Sequence, residues 1–153
     1  MITLGTQVPQ FELKDQNGTP FTPIALRGKH VLLSFHPLAW TGVCQRQMES
    51  LEMNASVFEE LHTVAFGVSV DSVPCKKAWA ESMNVKRTPL LADFWPHGGL
   101  ASALGIFRDD TGISERANLI LDSEGFVRWI KVYPISELPD LKEVIQVLKD
   151  LNS

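Results

Sequence analysis

Pro37, Thr41 and Cys44 stand four and three residues apart in the run FHPLAWTGVCQ. The thiol is the strongest nucleophile there, and it reacts as the thiolate. The first turn of a helix favours that anion, because unpaired backbone N–H groups and the positive end of the macrodipole face it. This field contributes about 0.3–1 kcal/mol, whereas lowering a cysteine from about 8.5 to about 6.5 takes roughly 2.7 kcal/mol at about 1.36 per unit. A hydrogen bond and a nearby cation must supply the difference. Thr41 offers a hydroxyl that can cap the helix and also face whatever approaches the sulfur. The competing reading of Cys44 is structural, since free cysteine is among the most buried residue types.

The elements that must position these residues are legible around them. Val31 to Phe35 is a β-branched and leucine run that reads as a buried strand. Pro37 stops it, and a helical period takes over from about Gly42. Cys44, Met48, Leu51, Ala55 and Phe58 recur at steps of four and three, which places one apolar stripe on a single long helix. Thr63 to Val70 reads as a second buried strand, completing a right-handed crossover that puts both strands in one parallel sheet.

Further along, Asp71 or Ser72 can cap a helix that begins at Pro74 and runs to about Met83. On it, Cys75, Ala78, Trp79 and Ser82 would share a face. Pro89 to Asp93 reads as a short strand, followed by a brief helix through Leu104. Asn118–Leu121 and Phe126–Val132, joined by Asp-Ser-Glu-Gly, form a hairpin by their turn chemistry. Leu138, Leu141, Val144, Ile145, Leu148 and Leu151 make a closing helical stripe, with Ser136 as its cap and Pro139 in its first turn. Ahead of everything, Asn17-Gly18 marks an N-terminal hairpin. The order predicts one α/β domain over residues 1–153: a central mixed sheet flanked by helices, with an N-terminal β-hairpin extension. The late hairpin argues against the alternative, a flavodoxin-like, fully parallel winding.

Composition narrows the function classes. The 153 residues carry a net charge of −4, with 44% hydrophobic and 21% charged residues and no basic run, so nothing points to nucleic acid or a membrane surface. The N-terminus has neither the basic start nor the apolar core of a secretory signal, and the expected location is cytoplasmic. Two cysteines, 44 and 75, are too few for a disulfide scaffold, and no Cys-x-x-Cys occurs. His30, His36, His62 and His97 show no ligand spacing, so no metal site is expected, and no cofactor is implied when sulfur carries the chemistry.

Pro37-x-x-x-Thr41-x-x-Cys44, with Phe-x-Pro before it and an amphipathic helix after it, resembles the active-site signature of the peroxiredoxins, thiol peroxidases of thioredoxin-like fold. PLAWTGVCQ and LADFWPHGG are most similar to the alkyl hydroperoxide reductase E branch, and Gly5, Pro9, Phe11, Gly28 and Lys29 resemble the family's opening. The resemblance implies a thioredoxin-like fold and a Cys44 that reduces hydroperoxides through a sulfenic acid, with Pro37 shielding the site. It implies that Arg116, on its own an arginine entering a strand, is the cation that completes the site with Thr41. Gln47 stands where many relatives carry glutamate, and either orients the arginine or lies on the outer helix face. His36, inside Phe-x-Pro, would line the pocket mouth.

Cys75 leaves two readings open. Some peroxiredoxins of the bacterioferritin comigratory class carry a resolving cysteine in that helix, whereas one five residues after the active cysteine is excluded, because Glu49 stands there. A bridge needs Cα atoms within roughly 7 Å, which neighbouring helix starts seldom offer without local unfolding; a small buried hydrophobe is the other reading. The resemblance further implies recycling by a thioredoxin-like or low-molecular-weight thiol and a homodimer contact through the loops of Trp40 and Phe94-Trp95. The rivals are a thiol-disulfide oxidoreductase of the same fold, disfavoured without Cys-x-x-Cys, and a redox-sensing protein without efficient turnover.

Overall fold

The computed structural model describes residues 1–153. The Asn17-Gly18 turn closes a hairpin between β1 (Leu13–Lys14) and β2 (Pro20–Phe21). Asp15 Oδ1 accepts hydrogen bonds from the Asn17 and Thr19 amides, and Gly18 takes the positive φ of 79° that this turn requires.

The apolar runs form the centre of the main sheet. In order β5-β4-β3-β8-β9, it joins β3 (His30–Phe35), β4 (Thr63–Ser69), β5 (Leu90–Ala92), β8 (Arg116–Leu121) and β9 (Val127–Tyr133). β3, β4 and β5 are parallel, whereas β8 runs antiparallel to both β3 and β9. The sheet is therefore mixed, as the late hairpin predicts, and the fully parallel alternative is excluded.

Strand alternation divides the core. Val31, Leu33 and Phe35 join Phe66, Val68 and Leu119 against α4 (Gly99–Leu104) and the N-terminal segment. Leu32 lies on the other face with Leu90 and Ile120. Against that face pack α1 (Gly42–Met53), α2 (Ala55–Glu60), α3 (Val73–Met83) and α5 (Leu141–Asn152). The fully buried leucines and phenylalanines each contribute roughly 1.5–3 kcal/mol.

Three expectations are corrected, and one element is new. The long helix is two: α1 ends at Asn54, whose side chain donates to the Ser50 carbonyl, and Ala55 is only half-buried. α3 buries Lys76, Trp79, Ala80 and Met83, so Ala78 and Ser82 are exposed and the inner face is turned by one residue. α5 begins after Asp140, whose carboxylate accepts from the Lys142 amide; Ser136 and Pro139 precede the helix. A small hairpin of β6 (Phe107–Arg108) and β7 (Ile113–Ser114) was not anticipated; each of its strands is only two residues long.

Candidate active site

Cys44 is the third residue of α1 and is 1% exposed. β3 ends at Phe35, Pro37 is buried just beyond it, and the chain then turns through Trp40, whose φ of 68° is unusual for a bulky residue. The turn is tied down from outside. The Ala39 amide donates to Asp71 Oδ2 at 2.8 Å, and the Ser69 hydroxyl donates to the same oxygen. Asp71 thus joins the loop before Cys44 to the end of β4. Of the two cap candidates for α3, Asp71 and Ser72, it is Ser72 that caps, accepting from the Cys75 amide at 3.3 Å.

Thr41 stands at the N-cap position with extended backbone, but its side chain does not cap. Its exposed hydroxyl donates instead to the Leu38 carbonyl at 2.8 Å. The first-turn N–H groups of α1 consequently lack a side-chain cap beside the sulfur.

Arg116 begins β8 and is buried, not solvated at a strand edge. Antiparallel pairing with β3 brings Ala117 opposite Phe35, so Arg116 comes alongside the strand end that precedes the cysteine loop. Its Nη1 donates to Cys44 Sγ at 3.4 Å and to Gln47 Oε1 at 2.6 Å, and its Nε donates to the Ile135 carbonyl at 2.9 Å. Nη2 is not sealed in the interior and has no partner within the chain. It is an open donor next to the thiol.

Gln47 is buried one turn after Cys44, not on the outer helix face. Its amide nitrogen donates to Ser34 Oγ at 2.8 Å and to the Phe35 carbonyl at 3.1 Å, which aims its oxygen at the guanidinium. Ser34 was not singled out in the sequence, being one polar residue in an apolar strand. His36 is a correction: it is fully buried, not at a pocket mouth, and its Nε2 lies 2.9 Å from Lys76 Nζ. The Phe-x-Pro position faces inward here because it follows Leu32 and Ser34 by strand alternation.

Cys75, half-buried in the first turn of α3, points its thiol at Asp71 Oδ1, 3.8 Å away. Burial, then the Asp71 carboxylate, push this thiol up from its ordinary value. Both cysteines are free thiols and make no hydrogen bond to each other. His30, His62 and His97 lie apart from the site, and no cluster of three or more potential metal ligands is present. Trp40, Phe94 and Trp95 are exposed.

A mixed sheet that presents a cysteine at a helix start against a buried arginine defines a cysteine-centred site on a thioredoxin-like scaffold. The chain belongs to the AhpC/TSA family, whose pattern matches residues 4–130. It is 38% identical over 141 residues to the alkyl hydroperoxide reductase E of Mycobacterium tuberculosis, covering 92% of each chain. It is 32% identical to a peroxiredoxin of Pyrococcus furiosus, over 99% of this chain and 72% of that one. Among solved structures, Enterococcus faecalis AhpC superposes with a TM-score of 0.90 at 25% identity, over 98% of this chain and 92% of that one.

Proposed function

We propose that residues 1–153 form a single thioredoxin-like domain acting as a thiol-dependent peroxidase on hydrogen peroxide and organic hydroperoxides. The observation that carries this reading is the Arg116 guanidinium, 3.4 Å from Cys44 Sγ with one terminal nitrogen open. A fixed, charged donor at that range stabilises negative charge as it moves from sulfur to oxygen. The thiolate attacks one oxygen of the hydroperoxide and the O–O bond breaks. Sulfur becomes a sulfenic acid, and the displaced hydroxide or alkoxide takes a proton to leave as water or alcohol. Thr41, its own proton engaged by Leu38, accepts the O–H of the incoming peroxide. Pro37 keeps bulk water from the sulfur.

An external thiol, thioredoxin-like or of low molecular weight, then returns the sulfenic acid to thiol. The upward push on Cys75 disfavours it as an attacking thiolate, which supports direct reduction by the external thiol over a Cys44–Cys75 disulfide. The exposed Trp40, Phe94 and Trp95 support a homodimer contact. The test is the intact mass of reduced protein after one equivalent of hydrogen peroxide, with Cys44→Ser and Cys75→Ser in parallel. Gain of one oxygen at Cys44, unchanged in Cys75→Ser, is expected, with repeated turnover once a dithiol is added. Loss of two hydrogens in the wild type alone would establish Cys75 as resolving, and no rapid change at Cys44 would sink the reading.

A further inference from the structure

Residues 36–41 link the end of β3 to the start of α1 and carry Pro37 and Thr41. The near end of this loop is fixed: the His36 amide donates to the Val68 carbonyl at 3.0 Å, and the His36 carbonyl accepts from Ser114 Oγ at 3.4 Å. The far end enters α1, where the Thr41 carbonyl accepts from the Gln45 amide at 2.9 Å. Between them, residues 37–40 make one hydrogen bond to another part of the chain, from the buried Ala39 amide to Asp71 Oδ2 at 2.8 Å. Trp40 comes next at its φ of 68°, and a bulky residue keeps such backbone only while its surroundings fix it. The fixing contact on this stretch is the one to Asp71.

Asp71 is itself held from both sides of the β4–α3 turn. Ser69, the last residue of β4, donates its hydroxyl to Oδ2, and the thiol of Cys75, in the first turn of α3, meets Oδ1 at 3.8 Å. Burial, then the carboxylate, push that thiol up, which keeps it the protonated donor this contact needs. Asp71 takes part in no salt bridge, so its two oxygens serve these three donors. On the loop side, the Thr41 hydroxyl donates to the Leu38 carbonyl, and this turn brackets Ala39. The bond that holds Ala39 therefore also sets where the exposed Thr41 oxygen stands.

We propose that Asp71 is a positioning residue for the peroxidase reaction proposed above: through the Ala39 amide it fixes the turn of residues 38–41, and with it the place where Thr41 meets the hydroperoxide. It makes no hydrogen bond to Cys44, and the groups around the sulfur are fastened without it. Gln47 is held by Ser34 and Phe35, and Arg116 by Gln47 and Ile135. Loss of Asp71 thus frees the peroxide-binding turn while the thiol and its guanidinium stay in place. The role needs acceptors more than charge. An asparagine at this position can offer its oxygen to Ala39 and Ser69 and its NH2 to the Cys75 sulfur, whereas an alanine offers nothing.

The test compares two rates at Cys44, oxidation by hydrogen peroxide and alkylation by iodoacetamide, which has no use for Thr41. The parent is Cys75→Ser, whose hydroxyl can still donate to Asp71. Asp71→Ala should slow oxidation roughly 10–100-fold and alkylation by less than about threefold, and Asp71→Asn should keep both within about threefold. Adding Asp71→Ala to Thr41→Val, where the acceptor is already gone, should cost no more than about a further threefold. Equal slowing of the two reactions, losses that multiply in the double variant, or an Asp71→Asn as slow as Asp71→Ala would overturn the proposal. If Asp71→Ala does not fold, Ser69→Ala decides: without the hydroxyl that steers the same oxygen, oxidation must slow more than alkylation, and an unmoved ratio would overturn it. A parent that is alkylated but ignores peroxide would sink the peroxidase reading and this role together, whereas a parent that reacts, with an unmoved ratio in Asp71→Ala, would sink this role alone.

Discussion

Gln47 accepts a 2.6 Å hydrogen bond from the same Arg116 nitrogen that points at Cys44, so the guanidinium is held between the sulfur and an amide whose own nitrogen is fixed by Ser34 and Phe35. The cation is aimed by a side chain one turn further along the nucleophile's own helix. Replacing Gln47 with Ala leaves the end of the Arg116 guanidinium held only by Ile135 and the sulfur, and strands the Ser34 hydroxyl. Stopped-flow peroxide oxidation should slow about tenfold, and denaturant unfolding should show a loss of roughly 1–3 kcal/mol.

Arg116→Lys keeps a positive charge but loses the fork that reaches sulfur, Gln47 and the Ile135 carbonyl together. The rate constant for Cys44 oxidation should fall by about 10²–10³. A rate within threefold of wild type would show that charge alone suffices.

Thr41→Val removes the acceptor that a hydroperoxide O–H would meet, whereas Thr41→Ser keeps it. Peroxide consumption should drop about 10–100-fold in the first and stay within a few-fold in the second. A dialkyl peroxide, which has no O–H to donate, should be a poor substrate for the wild type.

Glu52, near the end of α1, accepts from the amides of Lys86, Arg87 and Thr88 at 3.0 Å. Partial burial pushes this carboxyl up, but these bonds outweigh it and hold it below its ordinary 4.5. A lowered folded value means stabilisation that is present above the unfolded value and lost as pH falls through the folded one. Glu52→Gln should therefore melt below wild type at pH 7, by about 1 kcal/mol after solvent screening. The gap should close in acid, as thermal melts across pH will show.

Gly67 of β4 lies against α1: a Cβ there would stand 2.2 Å from Met48 Sδ and 2.9 Å from Leu90 Cδ2. Gly67→Ala should cost about 1–3 kcal/mol by overpacking and slow Cys44 oxidation by displacing its helix. Adding Met48→Ala should make the double variant more stable than the sum of its singles.

The strands, the crossover and the late hairpin were legible because alternation and turn chemistry are local. What the sequence hid was decided elsewhere in the chain. Gln47 looks like an outer polar residue until Arg116 arrives, and Arg116 looks like a solvated strand end until β8 pairs with β3. Lys76 and His36 are residue types that composition assigns to the surface, and only the meeting of α3 with the end of β3 buries them. The helix start at Asp140 turns on Pro139, which pushes Leu138 away from helical backbone and moves the cap past Ser136.

Cys44 and Arg116 are 72 residues apart, and Arg116 is itself held by the carbonyl of Ile135, 19 residues further on. During synthesis, the thiol therefore emerges long before the guanidinium that lies beside it. Until β8 has paired with β3 and the chain has reached Ile135, Cys44 has no arginine partner. The site is thus assembled from two parts of the chain made at well-separated times.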